Sequence, residues 1–325
     1  MRFELRLNTL IACLLTFILI GCTNLNKPCE SSLLKASRSG YVQVDNGKLF
    51  YQRFGSGTPI VILHGGPGLD QTYLLPQILE LATDHEVILY DQRGSGKSLE
   101  TKINSSYINI DQFTKDLEDL RNHLKLQKFV LAGHSWGGLL AMNYATQHPN
   151  HLSGLIFISS APADYKGQKA FIDKYVQRTK PINNDIKALS KYNDFKELSD
   201  SEISDLYKTL FSVYFFNPDE VNKLNLNMNA ASARSGFKVM EHMSQTSWLK
   251  PHINLVPGLK KLEVPTLVIH GRQDIVPAWT AQEIKDSIPN AEIAYLEQCG
   301  HFPYIEKPKP FFAKIRQLIS KISLP

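Results

Sequence analysis

Cysteine is scarce in this sequence, with 4 among 325 residues. Cys13 lies in an apolar segment near the start, and Cys22 directly follows that segment. Only Cys29 and Cys299 remain for a disulfide, and the sequence leaves open whether they pair. The cysteines and histidines show no metal-ligand spacing. The cysteines and histidines therefore predict neither a disulfide-rich scaffold nor a metal site.

An excess of charge of one sign is also missing. The chain has 36 Lys and Arg against 31 Asp and Glu, a formal net charge of +5, and no run of basic residues. We therefore expect no nucleic-acid partner, which would call for a basic stripe or a known binding module. No internal repeat or low-complexity tract is present. With 43% hydrophobic residues, the chain can bury the core of one α/β domain with an insertion, or of two small domains.

The N-terminal region has no hydrophobic run of the length of a transmembrane helix. The apolar run from Leu10 to Ile20 is too short to span a bilayer comfortably, but it has the length of a signal-peptide core and follows two arginines. It ends in Leu19-Ile20-Gly21-Cys22, which resembles the lipobox of bacterial lipoproteins. An ordinary secretory signal with an incidental cysteine is the alternative.

The lipobox resemblance implies a three-part N-terminus. Residues 1–21 would be a signal peptide, Cys22 would carry the lipid anchor, and residues 22–39 would form a tether. Thr23 is not the aspartate associated with inner-membrane retention. We therefore expect the mature protein to be held to the membrane of the cell envelope by its lipid, at the outer membrane and facing the periplasm.

Short apolar or alternating segments predict eight β-strands. They cover residues 41–44, 48–54, 59–63, 87–90, 128–131, 155–158, 265–270 and 291–296. Helical patterns lie between many of them, and one face of an amphipathic helix is formed by Ile110, Phe113, Leu117, Leu120 and Leu124. This alternation predicts an α/β protein with a mostly parallel sheet covered by helices on both faces.

The pattern changes over residues 163–255. Charges of both signs are frequent there, and a helix start is indicated by Ser199 with Glu202 three residues later. We interpret this segment as a helical cap inserted into a core of residues 40–162 and 256–325. Most of its aromatic cluster should pack inside the cap, and Phe215 is our candidate for a substrate contact. The cluster comprises Phe211, Tyr214, Phe215 and Phe216.

A Gly-x-Ser-x-Gly motif joins a predicted strand to a predicted helix. Ser135 stands between Gly133 and Gly137, and the sharp turn at such a nucleophile elbow leaves no room for side chains at those glycines. The pattern alone also occurs by chance in a surface turn. Its interpretation therefore depends on the other residues of the chain.

Asp274 and His301 each follow a predicted strand, so the carboxyl ends of the strands can bring them near Ser135. A serine hydroxyl needs a base to remove its proton, and the imidazole needs a carboxylate to fix its tautomer. We predict a Ser135–His301–Asp274 triad. A capping aspartate and a core histidine are the alternatives. Other histidines near the motifs are less well placed, namely His64, His134 and His270.

Three motifs together resemble the proline iminopeptidase branch of the α/β hydrolases. They are His64-Gly65-Gly66-Pro67-Gly68, Asp91-Gln92-Arg93-Gly94-Ser95-Gly96-Lys97-Ser98 and Gly133-His134-Ser135-Trp136-Gly137-Gly138. The resemblance implies the α/β-hydrolase fold, with a mostly parallel eight-stranded sheet and an inserted helical cap. It also implies Ser135 as nucleophile, and an oxyanion hole made by the backbone N–H groups of Gly66 and Trp136. Asp91 and Arg93 are expected to lock the surrounding loops.

The family resemblance implies an aminopeptidase that releases N-terminal residues through an acyl-enzyme, without a cofactor. Proline iminopeptidases hold the free amine of the substrate with cap glutamates, but their motifs have no convincing match here. Glu241 is our first candidate for that role, followed by Glu202 and Glu220.

Two other functions stay open for this chain. One is an esterase or amidase of small acyl substrates. The other is a non-catalytic binding module, which would be expected to lack a triad residue or an oxyanion glycine. Dehalogenases and epoxide hydrolases of this fold need an aspartate where Ser135 stands. The expected partners are a small-molecule or peptide substrate and, through the lipid anchor, the membrane.

Overall fold

A computed structural model describes residues 35–184, 195, 198–226, 228–248 and 250–322. The predicted signal peptide, Cys22 and Cys29 lie outside the described residues. Cys299 is buried and makes no disulfide within the described part. No helix among the described residues is long and apolar enough to cross a membrane.

One sheet runs through the described part of the chain, with strand order β1-β2-β4-β3-β5-β6-β7-β8. The strands are β1 (Arg38–Val44), β2 (Gly47–Gly55), β3 (Thr58–Leu63), β4 (His85–Tyr90), β5 (Phe129–His134), β6 (Leu152–Ile158), β7 (Thr266–Gly271) and β8 (Glu292–Leu296). Strand β2 is antiparallel to β1 and β4, and the remaining neighbours are parallel. The predicted eight-stranded, mostly parallel sheet is confirmed.

Helices cover both faces of the sheet, which is why every residue of β5, β6 and β7 is buried. The α-helices are α1 (Ile110–His123), α2 (Trp136–Gln147), α3 (Tyr165–Thr179), α4 (Asp200–Ser212), α5 (Ala230–Thr246), α6 (Val256–Leu259), α7 (Ala278–Ser287), α8 (Pro303–Glu306) and α9 (Pro308–Ile319). Short 3₁₀ segments cover Gln71–Leu74, Gln77–Thr83, Pro149–His151, Lys180–Ile182 and Pro218–Lys223. The predicted apolar face of α1 is buried at Ile110, Phe113, Leu117 and Leu120.

Strand register brings the loops of the predicted site to one edge of the sheet. Leu63 at the end of β3 pairs with Gly133 near the end of β5, so the glycine-rich loop after β3 lies beside the elbow. Gly271 at the end of β7 pairs with Leu296 at the end of β8. The loops that carry Asp274 and His301 are therefore neighbours.

Between β6 and α6 the chain carries the helices α3, α4 and α5. We call these helices, together with the described residues that connect them and follow α5, the cap. The start of α4 follows the sequence prediction, because Ser199 and Glu202 form a reciprocal capping box. Asn229 and Ser232 form a second such box at the start of α5. Local hydrogen bonds therefore define where these two helices begin, while their packing on the core decides which faces reach the site.

Candidate active site

Ser135 occupies a backbone conformation that few residues other than glycine adopt. Its φ of 56° and ψ of −121° lie directly between β5 and α2. Such a conformation is strained and persists only where surrounding contacts impose it. Here the N–H of Ser135 donates to the carbonyl of Ile158 at 3.0 Å, and its carbonyl accepts the N–H of Ala161 at 2.8 Å. Neighbouring β6 and the loop after it thus hold the elbow in place.

The two glycines of the elbow are required by close backbone approach. A Cβ atom at Gly133 would overlap the carbonyl of Gly137, and one at Gly137 would overlap the carbonyl of Leu63. Because neither glycine has a side chain, α2 can start directly after Ser135. The free N–H groups at the start of that helix then face the region where negative charge would develop.

Asp274 and His301 meet in a buried hydrogen bond. His301 Nδ1 lies 2.8 Å from Asp274 Oδ1, and the two residues are only 2% and 1% exposed. Burial works against ionisation of Asp274, but the imidazoles of His301 and His270 and the N–H of Val276 hold its pKa below the ordinary value. The carboxylate therefore stays charged, and it can fix the tautomer of His301 and stabilise its cation.

Ser135 and His301 line the same cavity, which has a volume of about 340 Å³. Gly66 also lines it, and Trp136 is the first residue of α2, directly after Ser135. In the described part of the chain, the backbone N–H groups of Gly66 and Trp136 donate to no protein acceptor. Two free donors beside a positioned serine suit the stabilisation of an oxyanion during acyl transfer.

A hydrogen-bonded relay that sequence reasoning missed runs through His134. The carbonyl of His301 accepts from His134 Nε2 at 2.8 Å, which requires the hydrogen to be on Nε2. Nδ1 can then accept the hydroxyl of Tyr73 at 2.7 Å, and that hydroxyl accepts the N–H of Gly65 at 2.5 Å. The oxyanion loop and the backbone of His301 are thus connected through one neutral imidazole.

The predicted locking role of Asp91 and Arg93 agrees with their contacts. Asp91 accepts the backbone N–H groups of Gln71 and Lys97 at 3.1 and 2.8 Å, on either side of its carboxylate. Arg93 is buried and makes a two-pronged bond to Asp116, with distances of 2.9 and 2.6 Å. Both residues hold loops around the site, and they lie outside the cavity lining.

Glu306 is a second group that the sequence analysis missed. Its carboxylate accepts the N–H groups of Gly300 at 3.0 Å and Phe302 at 3.2 Å, which flank His301, and that of Phe216 in the cap at 2.8 Å. The available signal was a glutamate in the first turn of a helix directly after His301, from where a side chain can reach back to N-terminal N–H groups.

Lys174 and Arg178 bind the loop of Asp274 from the cap. Lys174 Nζ donates to the carbonyl of Asp274, and the guanidinium of Arg178 donates to the carbonyls of Gln273 and Val213. Both side chains extend from α3. The cap therefore supports the acid loop directly, which no local sequence pattern could indicate.

The candidate substrate-binding residues of the cap lie outside the cavity lining. Glu241 is exposed on α5, and Phe215 is buried against Phe302 with ring centres 4.6 Å apart. Glu202 belongs to the capping box of α4, and Glu220 pairs with Lys223 at 3.1 Å. These positions give no support to a substrate contact by Phe215 or to amine binding by the three glutamates. Tyr214, one residue before Phe215, does line the cavity.

Glu118, His148 and His151 lie together outside the cavity, with carboxylate and imidazole atoms within 4.8 Å of one another. The carboxylate is already bonded by Arg121 at 2.7 to 3.0 Å and by the hydroxyl of Tyr144 at 2.7 Å. A metal ion would have to displace the guanidinium. We assign no metal site there.

Comparison with known proteins agrees with this geometry. A family model described as alpha/beta hydrolase fold matches residues 58–308. The chain belongs to this α/β-hydrolase family. Together with the Ser135 elbow and the His301–Asp274 pair, membership makes the protein a serine hydrolase.

Individual proteins and solved structures match this chain over most of its length. A protein named proline iminopeptidase from Heyndrickxia coagulans is 29% identical over 87% of this chain and 99% of its own length. The crystal structure of proline iminopeptidase from Mycobacterium smegmatis has a TM-score of 0.63 at 21% identity, covering 87% of this chain and 98% of that one. An esterase from Thermogutta terrifontis has a TM-score of 0.63 at 22% identity, covering 89% and 100%.

Replacing Glu306 tests whether it positions His301. In Glu306→Gln an amide NH₂ replaces one acceptor oxygen, so at least one of the three N–H groups loses its partner. We expect kcat to fall by about 10–100-fold with little change in KM, because a small displacement of a catalytic group costs rate. The matched control is Glu297→Gln, which alters an exposed glutamate paired with Arg272. A lower Tm with the kcat of the control would contradict a positioning role.

Stability should fall as the pH decreases below about 6.5, the pKa of an unfolded histidine. Burial lowers the pKa of His64 to about 4 and that of His134 to about 3. Between these values the unfolded chain binds more protons, so the free energy of unfolding drops by up to about 1.4 kcal/mol per pH unit for each histidine. Urea unfolding at several pH values measures this slope. We expect a shallower slope in His134→Asn than in the wild type, because the substitution removes one of the buried histidines. Equal slopes in the two proteins would show that burial of His134 does not cause the loss of stability.

Proposed function

We propose that this chain is a serine aminopeptidase of the proline-iminopeptidase type. The observation that supports this most directly is that the strained Ser135 and His301 line one cavity beneath the cap, with the buried Asp274 bonded to His301 behind it. The relative from Heyndrickxia coagulans is named proline iminopeptidase, and the match to this chain covers 99% of its length. That name supports the substrate class. A free N-terminal residue would enter the cavity with its acyl carbon at Ser135.

The proposed reaction uses the residues in fixed roles. Ser135 Oγ attacks the acyl carbon while His301 takes its proton, and the N–H groups of Gly66 and Trp136 bind the oxyanion. The imidazolium, stabilised by Asp274, then gives its proton to the leaving amine as the bond to the acyl carbon breaks. Water activated by the same imidazole hydrolyses the acyl-enzyme and restores Ser135.

A second candidate is an esterase or amidase of small acyl substrates. It is favoured by the lining of the cavity, because the cap contributes mainly aromatic and aliphatic side chains to it. Such a wall suits an uncharged acyl group. Both candidates share the triad, so they differ only in the acyl groups and leaving groups that the enzyme accepts.

Release of proline from a prolyl-arylamide tests the proposed activity. We expect turnover by the purified mature protein, and a loss of several orders of magnitude in kcat for Ser135→Ala with unchanged folding by circular dichroism. Ser320→Ala changes an exposed serine of the same chain and should keep full activity. Hydrolysis of short aryl esters without any release of proline would favour the second candidate. Near-full activity in Ser135→Ala would reject the nucleophile.

We also propose that the protein is a lipoprotein of the cell envelope, anchored through Cys22 at the outer membrane and facing the periplasm. The support is the run Leu19-Ile20-Gly21-Cys22 after an apolar segment, followed by Thr23. The predicted tether of residues 22–39 overlaps β1, which begins at Arg38. The residues between Cys22 and β1 would link the hydrolase domain to the membrane.

Fatty-acid labelling in cells tests the anchor. Cys22→Ser should abolish incorporation of labelled palmitate and leave an unprocessed precursor, because the thiol that accepts the lipid is gone. The control is Cys13→Ser, which changes a cysteine inside the predicted signal peptide and should be labelled and processed normally. Labelling of Cys22→Ser at the level of the wild type would disprove the lipobox.

A further inference from the structure

The cap lines the cavity with aromatic side chains from three helical segments. Residues three or four apart share one face of a helix, so Phe171 and Tyr175 on α3, and likewise Tyr207 and Phe211 on α4, face the cavity together. Phe237 on α5 lines the cavity but is 45% exposed. Six other rings from the cap line it as well, and we call these the aromatic wall: Phe171, Tyr175, Tyr207, Phe211, Tyr214 and Trp248.

The aromatic wall is continuous. Neighbouring ring centres are 6.4 Å apart for Tyr207 and Phe211, 5.3 Å for Phe211 and Tyr214, and 6.1 Å for Tyr214 and Tyr175. The series continues at 6.3 Å from Tyr175 to Phe171 and at 6.3 Å from Phe171 to Trp248. It also reaches the triad, because the ring of Tyr214 lies 5.2 Å from that of His301. An acyl group bound at Ser135 would therefore meet rings of the wall.

Charge around the wall does not favour a cationic substrate group. Among the described residues that line the cavity, none is a lysine, arginine, aspartate or glutamate. Burial raises the pKa of Tyr175 and of Tyr207, so their hydroxyls stay neutral. The helix that carries Phe171 and Tyr175 also holds two cations, Lys174 and Arg178, against the loop of Asp274.

We propose that this pocket selects its substrate by the apolar shape of the acyl group and does not require the positive charge of a free amine. The inference deepens the proposed function, on whose acyl-enzyme chemistry it rests. An ammonium would lose its hydration on entering the cavity. Ring faces recover part of that loss, whereas a carboxylate partner would recover more through a charge-assisted hydrogen bond. A compact apolar ring without nitrogen loses no such hydration.

A matched pair of substrates tests the inference. Prolyl and cyclopentanecarbonyl arylamides both carry a five-membered ring. They differ only in that the NH of the prolyl ring is replaced by CH₂ in the cyclopentane ring. We expect kcat/KM for the carbocyclic substrate to equal or exceed that for the prolyl substrate at pH 7. If a carboxylate binds the amine, kcat/KM for the prolyl substrate should instead be about 10–100-fold higher, which corresponds to the free energy of a hydrogen bond to a charged group. That result would overturn the inference and leave the proposed function intact.

The pH dependence of the ratio between the two substrates gives a second readout. Both use the same triad, so titration of the enzyme cancels in the ratio of their kcat/KM values. An α-amine loses its proton at a pH of about 8. If the pocket favours the uncharged form, the prolyl-to-carbocyclic ratio rises as the pH increases through that value. A ratio that falls would show that the ammonium is the form recognised, and would overturn the inference.

A carboxylate placed on the cavity should change the preference. Met240 lines the cavity and is 40% exposed, so it can accept a polar side chain. We expect Met240→Glu to raise the prolyl-to-carbocyclic ratio by about tenfold, the lower end of that range, and the matched variant Met240→Gln to leave it near the wild-type value. Equal ratios in the two variants would count against an uncharged pocket.

Failure of the proposed function is distinguishable from failure of this inference. If neither arylamide is hydrolysed, the aminopeptidase proposal fails. The same two acyl groups are then compared as aryl esters, which require less activation of the leaving group. The prolyl-to-carbocyclic ratio of kcat/KM is measured for the two esters, and its value supports or overturns the inference as it would for the arylamides.

Discussion

The hydrogen bond between His301 Nδ1 and Asp274 Oδ1 is the contact around which the site is built. It lies in the interior, where an unpaired carboxylate would be costly, so every group that stabilises the charge of Asp274 matters. The N–H of Val276 donates to the same oxygen at 2.9 Å. The N–H of His301 in turn donates to the carbonyl of Tyr214 at 2.8 Å. The bond therefore depends on contacts from both the core and the cap.

Three side chains position this bond by binding backbone groups of the residues that form it and of their neighbours. His134 holds the carbonyl of His301, Glu306 holds the N–H groups on either side of it, and Lys174 holds the carbonyl of Asp274. Each of these side chains is buried or partly buried, so it exchanges little with water. Asp274 and His301, which stand on two different loops, are thereby given the fixed geometry that acyl transfer needs.

The core and the elbow could be predicted from sequence because their signals are local. Apolar strands, the glycines beside Ser135 and the order of Ser135, Asp274 and His301 depend on residues close in sequence or on chain topology. The cap was predictable only as helices. Which faces its helices present is set by packing on the core, so choosing Phe215 instead of Tyr214 from the aromatic cluster was beyond a sequence pattern. The same reason explains why Glu241 was selected although it lies in solvent.

The cap therefore combines two tasks that α3 carries on one helix. Phe171 and Tyr175 belong to the wall of the acyl pocket, while Lys174 and Arg178 support the loop of Asp274. A shift of α3 would move the wall and the acid loop together. The position of α3 would therefore affect both substrate fit and the alignment of the triad, because the helix that contacts the acyl group also supports the loop of the catalytic carboxylate. Selectivity between acyl groups would then be expressed in kcat as well as in KM.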